Sequence, residues 1–239
     1  GNLYLTLHQD FGPLSVSGGV RYVRERLPGI DAYNSGAATA GASWDVSVDD
    51  AIARAVQDPT RSVSARTLDA WLPQAGAIYK LNEAVDLRLN VGQTYGAPSF
   101  DAFNQTLSGS FTRSQQYWDQ LKPEIATGVD VGLRVRQGDF YLDPTVYFAR
   151  SRNKAVSVYN ASTTTVYSQN IGKTEASGAQ LAAGWSVASN LQLVSALSYS
   201  RSVFRQDVQT TGGALLSVEG KQLPDVPKWM GNLGAIWRY

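Results

Sequence analysis

The stretch Val85-Asp86-Leu87-Arg88-Leu89-Asn90-Val91 carries an apolar residue at every odd position and a polar one at every even position. Successive strand side chains point to opposite faces, so this run predicts a ribbon with one apolar and one wet side. Three further segments repeat the pattern. Between Ile125 and Arg136, Val129, Val131, Leu133 and Val135 share one face, and Asp130, Arg134 and Arg136 share the other. Leu14, Val16, Val20 and Tyr22 oppose Ser15, Ser17 and Arg21, while Phe140, Leu142, Val146 and Phe148 oppose Tyr141, Asp143 and Tyr147. Repeated around an antiparallel sheet, apolar side outward and charged side inward, this pattern specifies a transmembrane β-barrel. Arg21, Asp86, Arg88, Asp130, Arg134 and Arg136 are then expected to face the lumen, because a charge facing hydrocarbon is costly. For any one of them the competing reading is a solvated sheet face.

Composition narrows the function classes. A chain that is 43% hydrophobic and 17% charged suits a soluble globule, and equally a barrel in which only alternate residues meet lipid. The net charge of +1 gives no pull toward nucleic acid. Cysteine is absent, which removes disulfide and thiolate–metal frameworks, and the single His8 argues against a histidine-rich metal site or a Ser-His-Asp triad. No phosphate loop or nucleophile elbow is present, so neither an enzymatic activity, a cofactor nor a metal is expected. No run approaches the ~18 apolar residues of a transmembrane helix. The chain opens on strand-like Gly1-Asn2-Leu3 without a signal segment, which suggests a mature chain or a piece of a longer one.

Nine strand-like segments can be read, joined alternately by short and long connections. Tight turns are expected at Gln9-Asp10, Asn82-Glu83, Gln137-Gly138 and Ala188-Ser189-Asn190. Long connections are expected over about 25–69, 96–122 and 205–221, with a medium loop over about 151–165. Short turns on one rim and large loops on the other are what a barrel with periplasmic turns and external loops requires. Within the first long loop, Ser47 caps a predicted short helix whose Asp49 and Asp50 suit its positive end, with Ala51, Ile52, Ala55 and Val56 on one face. Its bland reading is a packed piece of loop. Gly92, Gly128, Gly132 and Gly184 fall on the polar face, where they leave lumen space or mark sheet curvature.

Four motifs carry a resemblance. They are Leu72-Pro73-Gln74-Ala75-Gly76-Ala77-Ile78-Tyr79-Lys80 with Asn90-Val91-Gly92-Gln93-Thr94-Tyr95-Gly96-Ala97-Pro98 after a turn; Leu121-Lys122-Pro123-Glu124 leading into Gly128-Val129-Asp130-Val131-Gly132; Asn170-Ile171-Gly172-Lys173-Thr174-Glu175; and Gly220-Lys221-Gln222-Leu223-Pro224-Asp225-Val226-Pro227-Lys228-Trp229. In this order the chain resembles the barrel of TonB-dependent outer-membrane receptors. One departure is Gln180, where the family usually has an acid. The resemblance implies a barrel of about twenty-two strands, of which residues 1–239 would supply about nine, without the plug domain that contacts TonB.

The resemblance also implies a function and partners. The parent protein would sit in the bacterial outer membrane and import a scarce ligand, such as a ferric siderophore, with energy passed from TonB to the plug. Loop aromatics and cations suit such a ligand: Tyr33, Trp44, Arg113, Tyr117, Trp118 and Tyr159 are the candidates, against a reading of them as interfacial or loop-packing residues. A passive porin or adhesin is the alternative, and a soluble sugar-binding β-sandwich a third. The sandwich would need a second sheet over the apolar faces.

Overall fold

The structure, a computed structural model, describes residues 1–34, 49, 56–59, 62–98, 115, 118–119, 121–160, 165–209, 215–224 and 226–238. Nine antiparallel strands form one sheet: β1 (Asn2–Phe11), β2 (Leu14–Leu27), β5 (Arg66–Lys80), β6 (Val85–Gly96), β7 (Glu124–Gln137), β8 (Phe140–Asn160), β9 (Thr165–Ala188), β10 (Leu191–Phe204) and β13 (Trp229–Trp237), paired in that order. Two small ribbons decorate the loops: β3 (Tyr33–Asn34) with β4 (Val56–Gln57), and β11 (Val208–Gln209) with β12 (Leu215–Leu216). Every neighbour in the large sheet follows its partner in sequence once the ribbons are set aside, which is the meander that an up-and-down barrel wall uses.

The two rims differ as expected. Short turns join β1 to β2 at Gly12-Pro13, β7 to β8 at Gly138-Asp139 and β9 to β10 at Ser189-Asn190, with residues 81–84 between β5 and β6. Gly12 and Gly138 take φ of 60° and 57°, the left-handed backbone a tight hairpin needs and glycine adopts without a steric penalty. The first turn therefore sits later than Gln9-Asp10: Gln9 and Asp10 remain in the ladder opposite Val16 and Ser15. At the other rim, the loop expected over 151–165 is largely strand. β8 and β9 continue to Asn160 and Thr165, because the β-branched run through Val156, Val158, Thr165 and Val166 suits a ladder more than a loop. Of the helix expected over 47–56, Asp49 is helical, Val56 pairs with Asn34 in β4, and the rest lies outside the described residues.

Register carries the two faces across the whole sheet. Leu3, Tyr22 and Trp71 are in line, as are Val91, Val129 and Phe148, and then Leu142 with Ala183. Asp86 opposes Arg134 and Asn90 opposes Asp130 on the other side. Among the described residues no second sheet or helix covers the apolar side: Leu89 is 43% and Leu233 82% exposed. Buried apolar side chains instead gather at the loop rim, in one cluster of Leu27, Val63, Leu68, Trp118 and Leu121 and another of Val23, Leu72 and Ile125.

Aromatic pairs mark the apolar face toward that rim, Tyr22 with Trp71 at 4.7 Å and Tyr199 with Trp229 at 4.8 Å between ring centres. Eight residues further along their strands, Tyr79 and Trp237 stand near the turns. At ~3.3 Å per residue and a tilt of about 40°, those rows are about 20 Å apart, close to the height of an outer-membrane apolar band and its aromatic girdles.

Candidate functional site

The polar face is built strand by strand from alternation. Arg88 on β6, Arg134 on β7 and Asp143 on β8 meet there: Arg88 Nη2 donates to Asp143 Oδ1, and Arg134 Nε lies 3.5 Å from Oδ2 of the same carboxylate. Arg88 Nε is buried and has no hydrogen-bond partner. Nearby, the Asn90 side-chain amide donates to Asp130 Oδ2 at 2.8 Å, and Arg21 donates to Asn2 Oδ1 at 3.0 Å while lying over the Tyr4 ring. Asp86 and Arg136 share this face by register, opposite Arg134 and Tyr141 respectively. The six charges read as lumen-facing thus fall on one side of the sheet.

That side is hollowed. One cavity of about 570 Å³ is bounded by Thr6, Ser17, Gln74, Asn90, Asp130 and Ala149, residues drawn from β1 through β8. A second, of about 520 Å³, is bounded by Asp143, Thr145, Gln180, Ser198 and Asn232. Glycines let this wall lie close to its own side chains: a Cβ on Gly184 would strike the Tyr141 ring, and one on Gly178 would strike both the Tyr199 carbonyl and the Tyr147 hydroxyl. Gln180, which stands where an acid was expected, faces Thr145 and Ser198 across the ladders. The chemistry on offer is a wall of hydrogen-bond donors and acceptors and fixed charges. Among the described residues no group of three or more His, Cys, Asp or Glu could hold a metal.

The loop rim holds part of the expected ligand set. Tyr33 is 55% exposed in β3. Trp118 is fully buried: its indole N–H donates to the Ser64 carbonyl at 2.9 Å, and Arg66 donates to the Trp118 carbonyl. Gln115 accepts from the Ser64 N–H at 2.9 Å. Trp118 therefore pins the connection after β6 to the one after β2. Tyr159 lies in β8, paired with Val166. Trp44, Arg113 and Tyr117 lie outside the described residues.

Two groupings were not legible beforehand. Asp143 was readable as a polar-face residue, yet only the β6–β7 and β7–β8 registers together bring it to Arg88 and Arg134. Glu175 accepts from Arg150 at 3.1 Å and from Arg205, joining β8, β9 and the end of β10.

Comparison with known proteins settles the family. A family model described as TonB dependent receptor-like, beta-barrel, matches residues 1–239. The chain belongs to the TonB-dependent receptor β-barrel family. Solved relatives share its fold. The copper transporter OprC aligns at 16% identity with a TM-score of 0.68, over all of this chain and 31% of that one. The ferric yersiniabactin uptake receptor FyuA from Yersinia pestis aligns at 18% identity and 0.66, over 98% of this chain and 30% of that one. The ferric citrate transporter FecA in its unliganded form aligns at 19% and 0.60, over 98% and 29%. This TonB-dependent receptor chain thus spans about 30% of the length of those receptors. No sequence among the curated proteins matches it. The family is one of outer-membrane receptors and transporters rather than of enzymes.

Proposed function

We propose that this chain is one stretch of wall in a larger outer-membrane barrel that imports a scarce ligand, energised by TonB through a plug domain carried elsewhere in the parent protein. One observation carries the reading: a single sheet whose register keeps an uncovered apolar face opposite a charged, hollowed one. Hydrocarbon satisfies the first face and water or a plug the second. The ligand class that fits best is a ferric siderophore or a comparable small chelate, the kind of cargo named for FyuA and FecA. The external loops would capture it, with Tyr33 exposed for contact and Trp118 holding two loops in place, and Trp44, Arg113, Tyr117 and Tyr159 completing the candidate set. A passive barrel is less favoured, since the family model that matches residues 1–239 is that of TonB-dependent receptors.

The test is uptake by cells that express the full-length receptor. Radiolabelled ferric siderophores of several chemical classes are supplied with TonB present or deleted. Accumulation of one class that stops when TonB is lost supports the reading. A leak of unrelated small solutes that ignores TonB overturns it in favour of a pore.

A further inference from the structure

Above the loop-side aromatic row, the outward face changes from apolar to cationic. Phe148, Ser177 and Arg201 lie in one row across β8, β9 and β10, and Arg150 and Glu175 lie in the next row on the same face. Strand alternation adds Lys173 to that face, and Arg152 follows Arg150 with its side chain exposed. Arg150, Arg152, Lys173, Glu175 and Arg205 line a hollow of about 690 Å³. Its only acid is engaged by Arg150 and Arg205, and Arg152 and Lys173 take no ion-pair partner among the described residues. The hollow therefore keeps a surplus of positive charge.

The position decides what that charge meets. Glu175 stands four residues beyond Ala179, the partner of Tyr199, which is about 10 Å further along the membrane normal at ~3.3 Å per residue and a tilt of about 40°. That height is the headgroup layer, outside the hydrocarbon. The face is the outer one, so a ligand travelling through the lumen does not reach it. Arg24 and Arg26 continue the same exposed alternation beyond Tyr22 on β2. At the turn rim the outward face instead ends on uncharged Tyr79, Trp185 and Trp237. The basic belt is therefore one-sided.

We propose that this hollow binds the phosphate of an anionic lipid headgroup in the external leaflet. Guanidinium forks take phosphate oxygens in pairs, and a lysine ammonium adds a point charge. The inference rests on the reading that the apolar face lies in a bilayer.

The test reconstitutes the full-length receptor in phosphatidylcholine vesicles containing either spin-labelled phosphatidic acid or spin-labelled phosphatidylcholine. A motionally restricted fraction with the phosphatidylcholine label reports insertion; without it, the membrane reading itself fails. Given insertion, the expected result is preferential restriction of phosphatidic acid, weakened by salt. Each basic residue at an anionic surface is worth about fivefold in affinity, so the double variant Arg152→Gln/Lys173→Gln should lose roughly twenty-five-fold of the preference. Arg136→Gln, on the opposite face, should lose none. Equal restriction of both labels, or a preference untouched by the double variant, overturns the proposal. Displacement of the lipid by inorganic phosphate at matched concentration would overturn it too, assigning the hollow to a free anion.

Discussion

Asp143 links one arginine just across its own hairpin, Arg134, to another, Arg88, that is distant in sequence. With Arg88 and Arg134 on neighbouring strands, its carboxylate offsets the desolvation of both guanidinium groups, whose side chains are only 21% and 33% exposed. Asp143→Asn should therefore lower stability by about 1–2 kcal/mol, the scale of losing charge-assisted hydrogen bonds at a partly buried site. The urea midpoint of the full-length receptor in detergent micelles measures it; an unchanged midpoint would show that water replaces the carboxylate without loss. Trp118 works by packing instead. Trp118→Ala removes the centre of the loop-rim cluster, and a fully buried tryptophan lost to alanine typically costs about 3–5 kcal/mol. Because that cluster sits at the loop rim, touching the sheet only at the ends of β2 and β5, the loss should be local. Hydrogen exchange should quicken around Ser64 and Leu121 while the β6–β7 ladder keeps its protection.

At the scale of elements, the long β8–β9 hairpin is the feature with most consequence. Its strands hold 21 and 24 residues, against about 9–11 needed to cross a bilayer, so the upper half projects beyond the apolar band. Glu175 clamps that projection. The hydrogen bond from Arg205 is the largest of the effects that hold its carboxyl below the ordinary carboxylate range; desolvation opposes it, and the hydrogen bond from Arg150 and the charges of both arginines add to it. A carboxylate lowered on folding contributes stability that is complete above its unfolded pKa and disappears as pH falls through the lowered folded value. Exchange protection at the top of β9 and β10 should accordingly hold at neutral pH and decline only in acid, below the range in which an ordinary glutamate titrates. Glu175→Gln should remove that acid step; a step that survives the substitution would assign it to another group. The hairpin's length was partly hidden in the sequence. Polar Ser and Thr residues near 161–164 read as loop, while the β-branched residues on either side had partners that only the ladder reveals.

For the molecule as a whole, the controlling quantity is what covers the outward face. Val131 sits midway along β7, in line with Leu89 and Val146, and is 40% exposed. Val131→Arg would put a cation near the centre of the hydrocarbon, at a cost of about 2–4 kcal/mol. Asn90→Arg, on the polar face, should cost far less. Folding of the full-length receptor into phosphatidylcholine vesicles, followed by urea titration, compares the two, and equal costs would contradict the lipid-facing assignment.

What the chain by itself determined is the alternation, and with it the two faces, the hairpin order and the rim that carries the loops. A strand's period of two is a local property, so Val85–Val91 announces its faces without any knowledge of neighbours. What only the tertiary structure decided is which charges meet, where the turns fall to within a residue or two, and that no second layer lies over the apolar side among the described residues. Register is the reason. Sliding one strand by a single residue would exchange its faces, and sliding it by two would keep the faces but separate Asp143 from Arg88. Such choices rest on pairing energies summed over whole ladders rather than on any one residue.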